Sequence, residues 1–177
     1  MRLFIIIFFT FAITGCSAID VRQYENNEPR LNLFDYFSGE TTGWGIVQDR
    51  KGRLLRQFVV HIKGTVSGSD RLTLDEEFLW NDGERSQRTW ILDQTDAHEY
   101  TGTAADVVDQ AVGTLYGNVL NWKYRLNLEV DDRTWKITFD DWLYKVSEDL
   151  VINKAIMSKF GFRVGEVTIV FKKSEIR

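Results

Sequence analysis

From residue 33 onward apolar and polar side chains alternate, aromatic and β-branched residues are frequent, and turn residues recur at short intervals. A period of two marks half-buried strands rather than helices. The pattern predicts strands near 33–37, 42–49, 53–65, 71–80, 84–94, 98–103, 115–130, 133–145, 150–159 and 165–173. The turns between them fall at Asp49-Arg-Lys-Gly52, Ser67-Gly-Ser-Asp70, Asn81-Asp-Gly83, Asp131-Asp132 and Ser147-Glu-Asp149. Only 104–113 suggests a short helix, with Val108, Ala111 and Val112 on one side. Consecutive strands with no crossover helices form an antiparallel meander, and closing it removes exposed edges. The expected fold is therefore all-β: an antiparallel up-and-down, lipocalin-like (calycin-type) barrel of about 8–10 strands. A twisted sandwich is the alternative.

Two hairpins are patterned strongly enough to set their register, because a one-residue slip would turn every apolar side chain to the other face. A two-residue loop at Asp131-Asp132 places Val130 across from Arg133, Leu128 from Trp135, Leu126 from Ile137, Tyr124 from Phe139 and Trp122 from Asp141. The opposite face carries Asn121, Lys123, Arg125, Asn127 and Asp140, as a solvated wall should. A three-residue loop with Gly83 in the left-handed position sets Leu72 across from Leu92, Leu74 from Trp90 and Glu76 from Arg88. Glu76, Arg88 and Asp141 are thus ionisable groups on faces that otherwise read as core.

The pattern changes at the start of the chain. Arg2 is followed by an apolar run from Leu3 to Ile13, and Ile13-Thr14-Gly15-Cys16 places small residues before a thiol. Eleven helical residues span about 16 Å, roughly half a bilayer core, so the run reads as a cleaved signal of residues 1–15. Cys16 is the only cysteine, which leaves no intramolecular disulfide, and its expected chemistry is acylation. The polar stretch 16–32, which holds the only proline, Pro29, reads as a lipidated tether, and 33–177 as the barrel domain. In the bacterial lipoproteins that this start resembles, a residue such as Ser17 rather than aspartate after the cysteine favours the outer over the inner membrane, so the resemblance implies the periplasmic face of a bacterial envelope.

The 177-residue chain carries 22 basic and 26 acidic side chains, a net charge of −4 with no basic stripe, so nucleic-acid binding is not expected. No Gly-x-Ser-x-Gly elbow, Walker loop, dinucleotide fingerprint or His-Glu-x-x-His helix is present. The two histidines, His61 and His98, do not form a ligand set, and no metal or cofactor is assigned.

Charges in an apolar interior are costly unless paired or wet. One reading makes Glu76 and Arg88 a buried ion pair that fixes register, with Asp141 bonded to the Trp122 indole or a backbone amide. In the other, Glu76, Arg88 and Asp141 orient the polar end of a ligand while Trp90, Trp122, Tyr124 and Phe139, with Trp80, hold its apolar body. Two acids meet one arginine, so that polar end should be neutral or cationic. A third reading uses Glu76 and Asp141 as the acid and base of a hydrolase.

The runs Leu72-Thr-Leu-Asp-Glu-Glu-Phe78, Asp82-Gly-Glu84, Gly117-Asn118, Phe139-Asp-Asp-Trp142, Ile156-Met-Ser-Lys-Phe-Gly161 and Gly165-Glu-Val167 resemble the domain-of-unknown-function 3833 family of bacterial lipoproteins, over about 33–173. The resemblance implies an exported, lipid-anchored domain attached through Cys16, and no defined reaction. Three functions follow as expectations. The first is a membrane-anchored barrel that binds or carries an apolar small molecule, with a lipid as one candidate, and needs an internal cavity. The second is an accessory lipoprotein that docks a partner and needs a filled interior with an exposed apolar patch. The third is the hydrolase.

Overall fold

The computed structural model describes residues 19–130 and 133–174. Cys16, the expected signal and the Asp131-Asp132 turn lie outside the described residues. The strands are β1 (Gly39–Asp49), β2 (Leu54–Ser67), β3 (Arg71–Trp80), β4 (Arg85–Gln94), β5 (Glu99–Thr103), β6 (Ala111–Tyr116), β7 (Val119–Val130), β8 (Arg133–Lys145), β9 (Leu150–Lys159) and β10 (Phe162–Lys173). Each pairs antiparallel with the next, and β10 returns to β1, which closes a barrel. The all-β, up-and-down expectation holds, and no sandwich forms.

Both patterned hairpins have the expected register. Leu128 lies across from Trp135, Tyr124 from Phe139 and Trp122 from Asp141. Leu74 lies across from Trp90 and Glu76 from Arg88, and Gly83 has φ 89° in a three-residue loop closed by Trp80 N–H donating to Glu84 O at 3.0 Å. The inward residues of β2, Phe58, Val60 and Ile62, are buried while His61 between them is exposed. Two inward glycines of β5 and β6 make room for a ring. A β-carbon at Gly113 would stand 2.2 Å from the Trp122 ring, and one at Gly102 2.6 Å from it.

Three expectations need correction. Residues 33–37 are not a strand but a helix, α1 (Leu33–Phe37), which plugs one end of the barrel. Leu33, Phe34, Tyr36 and Phe37 are buried, a spacing that suits a short helix packed on every side but Asp35. Asn32 caps it, its side-chain oxygen accepting from Phe34 N–H at 3.0 Å and Asp35 N–H at 3.1 Å. Phe37 meets Phe171 edge-on at 5.6 Å, Phe34 meets Tyr100 at 6.2 Å, and the Tyr36 hydroxyl donates to Asp149 O or Phe171 O, each at 3.0 Å.

The helix expected over 104–113 is likewise absent. Residues 104–110 run as a loop along β7, with Val108 N–H donating to Arg125 O at 2.8 Å and Asn127 N–H to Asp106 O at 3.1 Å, and β6 begins at Ala111. The neighbouring strand meets the loop's backbone groups, so a helix is not needed to satisfy them. The strand expected over 115–130 is split by the Gly117-Asn118 turn, where Gly117 has φ 55°.

The described part of the expected tether, residues 19–32, is laid on the barrel rather than standing free of it. Val21 and Leu31 are buried, Val21–Tyr24 form a 3₁₀ turn, and Leu31 N–H donates to Gly117 O at 2.9 Å. Tyr24 contributes ring contacts with Trp142 and Tyr144 at 6.4 and 6.3 Å. Polar composition hid two apolar anchors spaced ten residues apart.

Candidate ligand-binding cavity

The barrel encloses a cavity of about 600 Å³, within the range that holds small molecules. Leu33 and Phe37 of α1 close it at the end that carries the β2–β3 and β8–β9 turns. At the other end, with the β1–β2, β3–β4 and β9–β10 turns, no helix covers it among the described residues. Phe58, Phe78 and Trp80 cluster toward that mouth, Phe58 lying 5.4 and 4.9 Å from the other two rings. The Arg56 guanidinium lies 4.0 Å over Trp80 and is paired with Asp82 at 2.7 Å and Glu84 at 2.8 Å.

All seven sequence-predicted side chains, Glu76, Arg88, Trp90, Trp122, Tyr124, Phe139 and Asp141, line this one cavity. The four rings form a continuous wall. Trp90 meets Trp122 edge-on at 5.9 Å and Tyr124 at 5.3 Å, and Tyr124 stacks on Phe139 at 5.1 Å. They come together because β4, β7 and β8 each turn the same alternate face inward.

The charges are wired differently from the expected ion pair. Arg88 faces Glu76 across the ladder but gives its guanidinium to Asp106, 2.9 Å away, on the β5–β6 loop. Asp141 is 6% exposed and bonds neither the Trp122 indole nor a backbone amide. Its Oδ2 accepts from the Tyr124 hydroxyl at 3.3 Å and from Asn153 Nδ2 at 3.1 Å. Its neighbour Asp140 points outward and takes Asn121 Nδ2 at 2.6 Å, as alternation requires.

Sequence reasoning missed Asp106 and Asn153. Asn153 carried a legible signal, since it stands between Val151 and Ala155 on the inward face of β9 and is itself 5% exposed. Asp106 carried none, because a loop has no period to betray which way a side chain turns.

Burial governs the titration of the cluster. It pushes Glu76 up to about 7 against the attraction of Arg88, with Asp106 and Asp141 adding to the rise. Burial also pushes Asp141 up to about 7, opposed by its bonds from Asn153 and Tyr124. Four covered acceptor atoms on the cavity wall, Glu76 Oε2, Asp106 Oδ1, Asp141 Oδ1 and Asn153 Oδ1, have no hydrogen-bond partner. His61 lies on the outer wall beside Thr42, His98 stacks on Tyr116 at 4.0 Å, and neither lines the cavity.

Comparison with known proteins agrees with the architecture. A family model described as a protein of unknown function (DUF3833) matches residues 10–173. No curated protein matches the sequence. Among solved structures the barrel is similar to the S-type phycobiliprotein lyase CPES from Guillardia theta, with a TM-score of 0.60 and 9% identity, over 81% of this chain and 92% of that one. A de novo designed fluorescence-activating β-barrel aligns over 81% of this chain and 99% of its own at 12% identity, with a TM-score of 0.44. At 9% identity the likeness to the lyase is one of fold.

Proposed function

Since this chain belongs to the DUF3833 family, a family without an assigned activity, we propose that it binds an apolar small molecule inside its barrel. The observation that carries the reading is the cavity itself: about 600 Å³, capped at one end, walled by aromatic rings and provided with a few fixed polar groups. A barrel built only as a scaffold would fill that space, because an empty apolar volume forfeits packing energy. The phycobiliprotein lyase shares the fold, which supports the reading only as far as architecture goes.

On this proposal the protein is a lipoprotein of the bacterial envelope, acylated at Cys16 after loss of residues 1–15, on the periplasmic side and by Ser17 sorted to the outer membrane. Palmitate labelling in cells tests this. Wild type should take the label and Cys16→Ser should not; equal labelling of both would overturn it.

Native mass spectrometry of the protein purified as the cell makes it, before and after exposure to apolar small molecules, tests the binding. Wild type should carry stoichiometric adducts. Ala155→Phe should lose them, because Ala155 is a buried wall residue and the added ring would occupy the cavity. Equal adducts on both proteins would place the molecule elsewhere.

One observation favours a second reading, docking of a partner protein. Phe160 and Phe162, at the tip of the β9–β10 hairpin beside the mouth, are 89% and 77% exposed. Such rings mark contact sites when they stand together on a surface. The hollow interior is the part that docking alone leaves unexplained. Catalysis by Glu76 and Asp141 has less support. A working acid and base are held apart in pKa, whereas burial drives these two carboxyls the same way, both to about 7.

A further inference from the structure

Resting on the reading that the barrel holds an apolar molecule, we infer that the polar end of that molecule is a cation rich in N–H donors, an ammonium or guanidinium group, received by Glu76, Asp141 and Asn153. The covered, unpartnered polar atoms on the cavity wall set the chemistry. Glu76 Oε2, Asp106 Oδ1, Asp141 Oδ1 and Asn153 Oδ1 are all acceptors. Among the described residues, the one covered donor without a partner on that wall is Arg56 Nε, whose guanidinium is already engaged by Asp82 and Glu84 at the mouth. Four unpartnered acceptors are completed by a ligand that brings donors, and an ammonium carries three with no acceptor of its own.

Charge leads to the same place. Glu76 is faced by Arg88 from β4, by Asp106 from the β5–β6 loop and by Asp141 from β8. Asp141 is faced by Tyr124 from β7, Asn153 from β9 and Arg88, with Asp140 beside it on its own strand. Arg88 is committed to Asp106 at 2.9 Å, so two carboxyls remain with no cation of their own.

Each candidate head group fares differently there. A carboxylate or phosphate head would add a third negative charge to an interior of low dielectric, where repulsion is poorly screened. A hydroxyl head would meet one acceptor and leave the charge as it stands. A cation meets several acceptors, balances the carboxylates and lies among the rings of Trp90, Trp122 and Tyr124, whose faces attract positive charge. Because burial holds both carboxyls up to about 7, seating a cation should expel protons, and its affinity should rise as pH rises through neutrality.

The test compares dodecylamine, dodecanol and dodecanoate, which share one chain, by isothermal titration calorimetry at about pH 5.5 and about pH 8, below micelle formation. At the higher pH the amine should bind about tenfold or more tighter than the alcohol, a preference of the size one desolvated charge contact confers. The acid should bind weakest. Amine affinity should fall severalfold at the lower pH, and titrations in buffers of different ionisation enthalpy should show proton release on binding. The isosteric pair Glu76→Gln with Asp141→Asn should abolish the preference while dodecanol still binds. Were that variant to misfold, the pH dependence and proton release of wild type would decide. Alcohol or acid binding tighter than the amine would overturn the cationic head group and leave apolar binding intact. Failure of all three to bind would overturn both.

Discussion

Replacing Glu76 by Gln should make the protein more stable, and more so as pH rises. The substitution keeps the shape of the side chain and its place across from Arg88 while removing the charge. Burial lifts the Glu76 carboxyl from the ordinary glutamate range to about 7. Between roughly pH 4 and pH 7 the folded protein therefore holds a proton that the unfolded chain has released, and wild-type stability falls as pH rises through that window. Below it both states are protonated and nothing is lost; above it the full penalty is present. At about 1.4 kcal/mol per pH unit of separation, wild type should lose on the order of 2–3 kcal/mol between about pH 5 and about pH 8 through this group. Glutamine does not titrate, so its advantage should be small at the acidic end and reach that size at the basic end. For a domain of this length that corresponds to a melting-point gain of roughly 5–10 °C at about pH 8. Differential scanning calorimetry of wild type and Glu76→Gln across the range provides the measurement. A difference that stays constant with pH, or a variant less stable than wild type at about pH 8, would refute the claim that burial dominates over Arg88 at this position.

Substitutions at three further positions probe the lid and the ion pair. Gly64→Ala would place a β-carbon 1.7 Å from the Phe37 carbonyl oxygen, so α1 must lift, with an expected loss of roughly 1–3 kcal/mol in urea unfolding and faster hydrogen exchange over 33–38. Unchanged exchange there would show that the lid does not rest on Gly64. Asn32→Ala removes the cap of α1 and should cost about 1 kcal/mol in the same assay, whereas Asn32→Ser should recover most of it. Arg88→Met leaves Asp106, Glu76 and Asp141 without their shared cation, so a loss of about 3 kcal/mol is expected at about pH 8. The loss should shrink at about pH 5, where Glu76 and Asp141 take up protons; a pH-independent loss would assign the effect to packing.

Register was legible in the β3–β4 and β7–β8 hairpins because one wall of the barrel is solvated, whereas β6, divided between an expected helix and an expected longer strand, was not recognised as a strand of its own. Lys123, Arg125 and Asn127 alternate with Trp122, Tyr124 and Leu126, and a slip of one place would bury the first set. The same logic brought Glu76, Arg88 and Asp141 to one cavity from three strands. It failed where periodicity carries no information. Residues 33–37 are too short to show a helical period, and their aromatic content imitates a strand; only the broken alternation, with four apolar positions around Asp35, departs from one. The partner of Arg88 was misassigned because direct pairing across a ladder is a local rule, while Asp106 arrives from a loop. The seating of 19–32 was hidden because Val21 and Leu31 become anchors only once a barrel wall exists to receive them.

The arrangement of charge argues that the interior serves something other than stability. The cheapest use of Arg88 would be to pair with Glu76 directly across the β3–β4 ladder, leaving Asp106 in solvent at the loop. Instead the loop folds Asp106 inward to take Arg88 at 2.9 Å, and Glu76 is left enclosed with its Oε2 covered and unpartnered. Asp141 repeats the pattern on the far wall, where both donors converge on Oδ2 and leave Oδ1 unpartnered. Methionine, leucine or glutamine at either position would remove a penalty that burial imposes on a carboxylate. Two such penalties, placed at the aromatic wall of a capped cavity, are what a site looks like when the missing half of each ion pair is expected to come from outside the chain.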